Sequence, residues 1–197
     1  MSKNRRRRRE SLSNAIKASF ILGTIGGFLI AIMYIPEAFG WGGTVPWNAQ
    51  QYLLILILAR ILASIGFIGL WRNSGNFVPL VSAIFIILWV CTYSLLWYLD
   101  MFTLLLPDGF AGDMTGIATI CAGVGWITAG ISAWLLREDF SPFYIVATLV
   151  FLAFGAVTFP MGLLVPSMMI PPPFWWYGFS SANGIVAGIY FLDATRA

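Results

Sequence analysis

The sequence predicts an all-α integral membrane protein, a six-helix transmembrane bundle with both termini cytoplasmic. Three observations carry that reading. Of 197 residues, 59% are hydrophobic and only 10% charged, whereas about a quarter of the residues in a soluble domain carry charge. Apolar runs of the roughly 20 residues needed to cross a ~30 Å hydrocarbon core recur along almost the whole chain. Basic residues, finally, are confined to alternate connections between those runs. The chain divides into a basic cytoplasmic segment, residues 1–14, and a six-span transmembrane domain, residues 15–197, with nothing left over for a soluble domain.

The six runs are Ala15 to Ile35, Gln50 to Trp71, Phe77 to Leu99, Thr115 to Leu136, Pro142 to Val165 and Phe174 to Leu192. Pro79 and Pro142 suit first turns, where a missing N–H costs nothing, and Asp113 and Ser141 suit N-caps. Pro160 falls inside the fifth run and is expected to kink it or end it early. Short connections make sequential helices antiparallel neighbours.

Charge sets the orientation. Lys3, Arg5 to Arg9 and Lys17 precede or open the first run, and Arg72, Arg137 and Arg196 follow the second, fourth and sixth. The other connections hold Glu37, Asp100, Asp108 and Asp113 with no Lys or Arg. The positive-inside rule then puts both termini in the cytoplasm and the protein in the cell membrane. The arginine run anchors this topology and attracts anionic lipid at ~1 kcal/mol per basic residue, so no nucleic-acid partner is expected. The first run exceeds a typical signal-peptide core and no A-x-A site follows it, so cleavage is not expected.

Catalytic chemistry finds little support. The chain contains no histidine, which removes imidazole-held haem, the usual zinc sites, a Ser-His dyad and a His proton relay. Cys91 and Cys121 lie inside runs and read as small apolar residues. The stretch from Asp108 to Asp113 offers two carboxylates and two glycines, but lacks the further acidic and basic residues of a metal-bound phosphate site and reads as a turn before a helix. No cofactor and no metal site are predicted.

Aromatic residues mark one interface: Trp175, Trp176 and Tyr177, with Trp41, Trp47, Trp97 and Tyr98 at the same level. Small residues mark helix contacts. Gly23 and Gly27, Ala59 and Ala63, and Gly184 and Gly188 are four apart, and Ala118, Ala122, Gly125, Ala129 and Ser132 follow one face of the fourth run.

One charge breaks the pattern. Arg60 stands eight residues from Tyr52 and eleven from Trp71, hence ~12 Å and ~16 Å from the two ends of its helix. A cation near the midplane costs about 2.5 to 3.5 kcal/mol on insertion scales, so it must face the bundle interior and find a partner or water. Backbone geometry leans its side chain toward the N-terminal, outer end of the second helix. Asn183 lies nearly level with it and Asp100 ~12 Å further out, with Thr92 and Tyr93 between those depths. Two readings follow. Arg60 floors a polar cavity reached from outside, or it is a fully paired structural arginine tying helices two, three and six together.

For function, the absence of a catalytic constellation favours a non-catalytic membrane subunit or binding component of a larger assembly, docking a protein partner or a second copy. The alternative is a small transporter or channel element that binds an anionic or amphiphilic solute near Arg60. A metal-dependent lipid-modifying enzyme built on Asp100, Asp108 or Asp113 ranks last.

Overall fold

A computed structural model describes residues 13–39, 49–101, 110–137, 143–164 and 174–196. They form six helices and no strand: α1 (Asn14–Ala38), α2 (Ala49–Ser74), α3 (Val78–Met101), α4 (Phe110–Leu135), α5 (Tyr144–Leu164) and α6 (Phe174–Ala194). Four are long and apolar enough to cross a membrane over Asn14–Ala38, Gln51–Ser74, Asp113–Leu135 and Tyr144–Leu164, and Val78–Tyr93 is a shorter apolar stretch. The arginine run, the acidic Asp108, the proposed cap Ser141 with Pro142, and the belt residues Trp41 and Trp47 lie outside the described residues.

Local chemistry explains the helix ends. Ser13 caps α1 by accepting the Ile16 N–H. After α2 the chain reverses at Gly75, whose φ of 70° suits a residue without a side chain and whose N–H reaches the Trp71 carbonyl at 2.8 Å. Asn76 then accepts the Val78 N–H at 2.9 Å, and Pro79 occupies the first turn of α3 as expected. One expectation is corrected and another narrowed. Asp113 does not cap α4, because that helix begins at Phe110 and takes Asp113 into its first turn, where a carboxylate still suits the positive end of the helix dipole. Pro160 does not end α5, which runs on to Leu164, as α1 runs through Pro36.

The helices pack as a ring in chain order, each on the next, with α6 closing back on α1. Most joints are made by small residues that let backbones touch. A Cβ on Gly27 or Gly184 would strike backbone across the α1–α6 joint, and one on Gly26 would strike Ala59 and Ala63 of α2. Along α4–α5 the same device repeats every seven residues: Gly123 and Gly130 of α4 receive Phe159 and Leu152, while Gly155 and Gly162 of α5 receive Ile127 and Ile120. The other face of α4 carries the small residues noted in the sequence, with Ala118, Ala122, Ala129 and Ser132 all buried and Gly125 against Ile86 of α3. Ser82 donates to Thr128 at 3.0 Å across that joint, and Ser181 of α6 donates to the Ala31 carbonyl of α1 at 3.2 Å.

An aromatic cluster fills the half of the ring nearer Arg72. Phe67 is its hub, edge-on to Phe191 at 5.0 Å, Trp126 at 6.2 Å and Phe151 at 6.3 Å. The outside is apolar as well: Leu54, Leu149 and Leu163 are each more than 60% exposed. An apolar exterior of this extent fits hydrocarbon and not water.

The seven-residue glycine stripe yields the first prediction. Gly155→Val places branched carbons where even a Cβ would lie 2.6 Å from the Ile127 nitrogen and 2.8 Å from the Gly123 carbonyl. It should cost about 1–3 kcal/mol or more in equilibrium unfolding from mixed micelles. Gly178→Ala, with nothing within 4 Å of its Cβ, should leave the unfolding curve in place.

Candidate functional site

Arg60 lies at the centre of the ring. Its neighbours Ala59 and Ala63 are fully buried where Gly26 lets α1 approach, and that approach brings Tyr34, two turns further along α1, over the guanidinium. Arg60 is only 2% exposed. Its Cζ stands 3.7 Å from the centroid of Trp89, so one face of the guanidinium rests on the indole, and the Tyr34 and Tyr93 rings stand at 5.8 and 5.9 Å. One terminal nitrogen, Nη2, donates to the Tyr34 hydroxyl. Tyr34 in turn packs against Tyr177 at 6.0 Å.

A desolvated cation over an indole gains ~2 kcal/mol, which offsets part of the cost of its burial. The guanidinium is not fully matched. Nε has no hydrogen-bond partner, and no ion pair to Arg60 is formed among the described residues. Four further buried polar atoms share this condition: the Thr148 and Tyr190 hydroxyls, nearer Arg72, and, close to Arg60, the Trp126 indole N–H and the Asn183 side-chain oxygen. Arg60 and the last two belong together. All three residues line one small cavity. Ile30 and Tyr34 of α1, Arg60 of α2, Trp89 of α3, Trp126 of α4, Phe154 of α5, and Ser180 and Asn183 of α6 form its wall, so every helix contributes. With about 10 Å³ for the centre of a guest molecule, it has room for one water. The unmatched set is two donors, one of them cationic, and one acceptor. An occupant must therefore accept and also donate, or it must carry negative charge.

The residues singled out from sequence are only partly brought together. Asn183 is 1% exposed and lines the same cavity as Arg60, but its side-chain oxygen accepts no hydrogen bond, and Arg60 donates Nη2 to Tyr34 instead. Tyr93 joins the cage. Thr92 is half-buried on α3 and shares no hydrogen bond with Arg60 among the described residues. Asp100 falls on α3, and its side chain lies outside the described ones. Sequence reasoning missed Tyr34, Trp89 and Trp126. The signal was present for two of them: Trp89 and Trp126 stand in mid-helix, far from any interface where tryptophan has its usual place.

Among the described residues no cluster of His, Cys, Asp and Glu could hold a metal ion. Compared with protein-family models, curated proteins and solved structures, the chain matches none.

The cage gives a second prediction. Tyr34→Phe removes the acceptor of a buried charged donor and should cost about 1.5–3 kcal/mol of stability. In an Arg60→Leu background the same change should cost almost nothing, since no cation is left unpaired. Equal costs in the two backgrounds would mean that the Tyr34 hydroxyl serves another group.

Proposed function

We propose that the protein is a six-span component of the cell membrane with both termini cytoplasmic, and that it works by non-catalytic binding of a ligand whose small anionic head is held at Arg60. The observation that carries this reading is the unpartnered Nε of a 2% exposed guanidinium, on a cavity where the Trp126 N–H is also unmatched. A cation that served only as a tie between helices would have its donors matched by the fold, because each unmatched one costs about 1–3 kcal/mol or more. Two unmatched donors on one cavity in a low-dielectric interior instead describe the half of an anion site that protein supplies. The cavity as it stands has room for about one water, so the head must be small and its entry must displace side chains. Binding and not chemistry is the better reading, because the groups facing the cavity comprise a permanent cation, an amide, two hydroxyls and aromatic rings, with neither a metal cluster nor a general base among them.

Membrane placement is supported by the four long apolar helices and by the strongly apolar exterior. Orientation is supported by the segregation of Arg72, Arg137 and Arg196 from Glu37, Asp100, Asp108 and Asp113. In this placement the Tyr34 end of the cage faces outward.

Two measurements test the proposal. In a background with Cys91→Ala and Cys121→Ala, a membrane-impermeant thiol reagent applied outside should label Thr44→Cys and Phe110→Cys but not Ser74→Cys, and labelling of all three from one side would sink the topology. For the site, dodecanoate offered in neutral detergent should raise the unfolding temperature of the purified protein, and dodecanol should not. Arg60→Leu should abolish the difference between the two, and Arg60→Lys, which lacks the planar fork, should retain only part of it. A dodecanoate effect that persists in Arg60→Leu would remove Arg60 from the binding site.

A further inference from the structure

The ring is weakest between α5 and α6. That joint is the sparsest of the six, and no described glycine makes its close contact across it. Its ring contacts are aromatic side chains, Phe154 on Trp176 at 5.2 Å and Phe151 on Tyr190 at 6.2 Å. Phe154 is also the α5 wall of the Arg60 cavity, opposite Ser180 and Asn183 of α6. Only side chains therefore separate the cavity from this joint, and aromatic side chains move by rotation where a backbone contact cannot.

The helix itself is softened at the same place. Pro160 cannot donate to the Ala156 carbonyl, and the Thr158 hydroxyl bonds back to the Phe154 carbonyl at 2.5 Å, a contact that slightly destabilises and bends helices. At about 100° per residue, Val157 and Phe179 fall on the two sides of the joint. They are 36% and 43% exposed, whereas Val186, which the same register puts on the joint nearer Arg196, is 7% exposed. The joint is thus sealed at one end and open to the surroundings at the level of the cavity and beyond it.

We infer that the ligand of the Arg60 site is a single-chain carboxylate amphiphile that reaches the cavity sideways from the bilayer, between α5 and α6, leaving its alkyl chain along the exposed joint between Val157 and Phe179. This rests on the reading of Arg60 as an anion site. The head must be small, because the cavity has room for little more than a water. It must also be served by one edge of the guanidinium, since Trp89 covers a face and Tyr34 takes Nη2. A flat carboxylate meets both conditions and balances the buried charge, and a phosphodiester carrying two chains meets neither. The chain has an apolar path out, formed by Phe154, Trp176, Val157 and Phe179. Phe154 and Trp176 must turn aside for the head to pass.

The test compares chain length and blocks the joint. Dodecanoate should bind the detergent-solubilised protein in an Arg60-dependent way and acetate should bind far more weakly, because only the former gains from the joint. Val157→Trp, which crowds the joint without touching the cavity, should lower dodecanoate affinity by about tenfold or more while leaving the unliganded unfolding temperature unchanged. A dodecanoate analogue with a diazirine near the chain end provides the check that needs no variant to fold: light should label peptides covering 150–164 and 174–186, and excess dodecanoate should suppress it. If dodecanoate and acetate bind alike, or label spreads evenly over all apolar helix faces, lateral access is wrong while the anion site stands. If Arg60→Leu binds dodecanoate as the wild type does, the anion site itself falls, and this inference with it.

Discussion

A guanidinium resting on an indole at the axis of the ring is the constraint around which the other helices are arranged. Arg60 on Trp89 joins α2 to α3, and the bond to Tyr34 joins α2 to α1. Neither contact can form unless the remaining helices exclude solvent or lipid from the same point, because an exposed cation in hydrocarbon is costly and an aromatic face gains most from a desolvated one. This is why the wall of one small cavity draws on all six helices. The packing of small residues serves the same end: Gly26 against Ala59 and Ala63 brings α1 close enough for Tyr34 to reach.

The interior changes character along the axis. Toward Arg72 the interior is aromatic, with Phe67, Phe151 and Phe191 meeting edge to face, and the buried Thr148 and Tyr190 hydroxyls there are unmatched but share no cavity with Arg60. At Arg60 it turns polar, and three buried atoms on three helices lack partners in one place. Buried polar atoms elsewhere in proteins are nearly always matched, so a group of them around a shared void identifies a site by what it needs. The need is specific in chemistry even though the void is small.

Much of the architecture was legible from apolar run length, since hydrophobicity over some twenty residues is a long signal. Each observed helix overlaps its predicted run, and the ends differ by a few residues where turn-forming Gly and Asp were absorbed into a first turn, as at Asp113. The pairs Gly27, Gly184 and Gly188 were legible at a spacing of four, whereas Gly123, Gly130, Gly155 and Gly162 were overlooked because they repeat at seven. Arg60 was legible as the lone charge inside an apolar run, and Asn183 was found from depth. The cage was not. Depth fixes which residues share a level, but which edge of a guanidinium meets which partner depends on the side-chain rotation that stacks it on Trp89 and turns Nη2 to Tyr34.

The distribution of backbone contacts carries a consequence for how the chain is made. Glycine contacts bind α1, α2 and α6 into one group and α3, α4 and α5 into another, and the two groups meet at the joints α2–α3 and α5–α6, where no described glycine makes its close contact. The second group is continuous in sequence, so it can assemble as soon as its third helix leaves the ribosome. The first is split by the whole of the second. In the proposed membrane placement, its opening pair must wait in the bilayer, with the surface that Gly27 reserves for Gly184 and Gly188 uncovered, until the last helix is inserted. Synthesis order and packing order therefore differ, and the final helix both completes the older group and closes the chamber around Arg60.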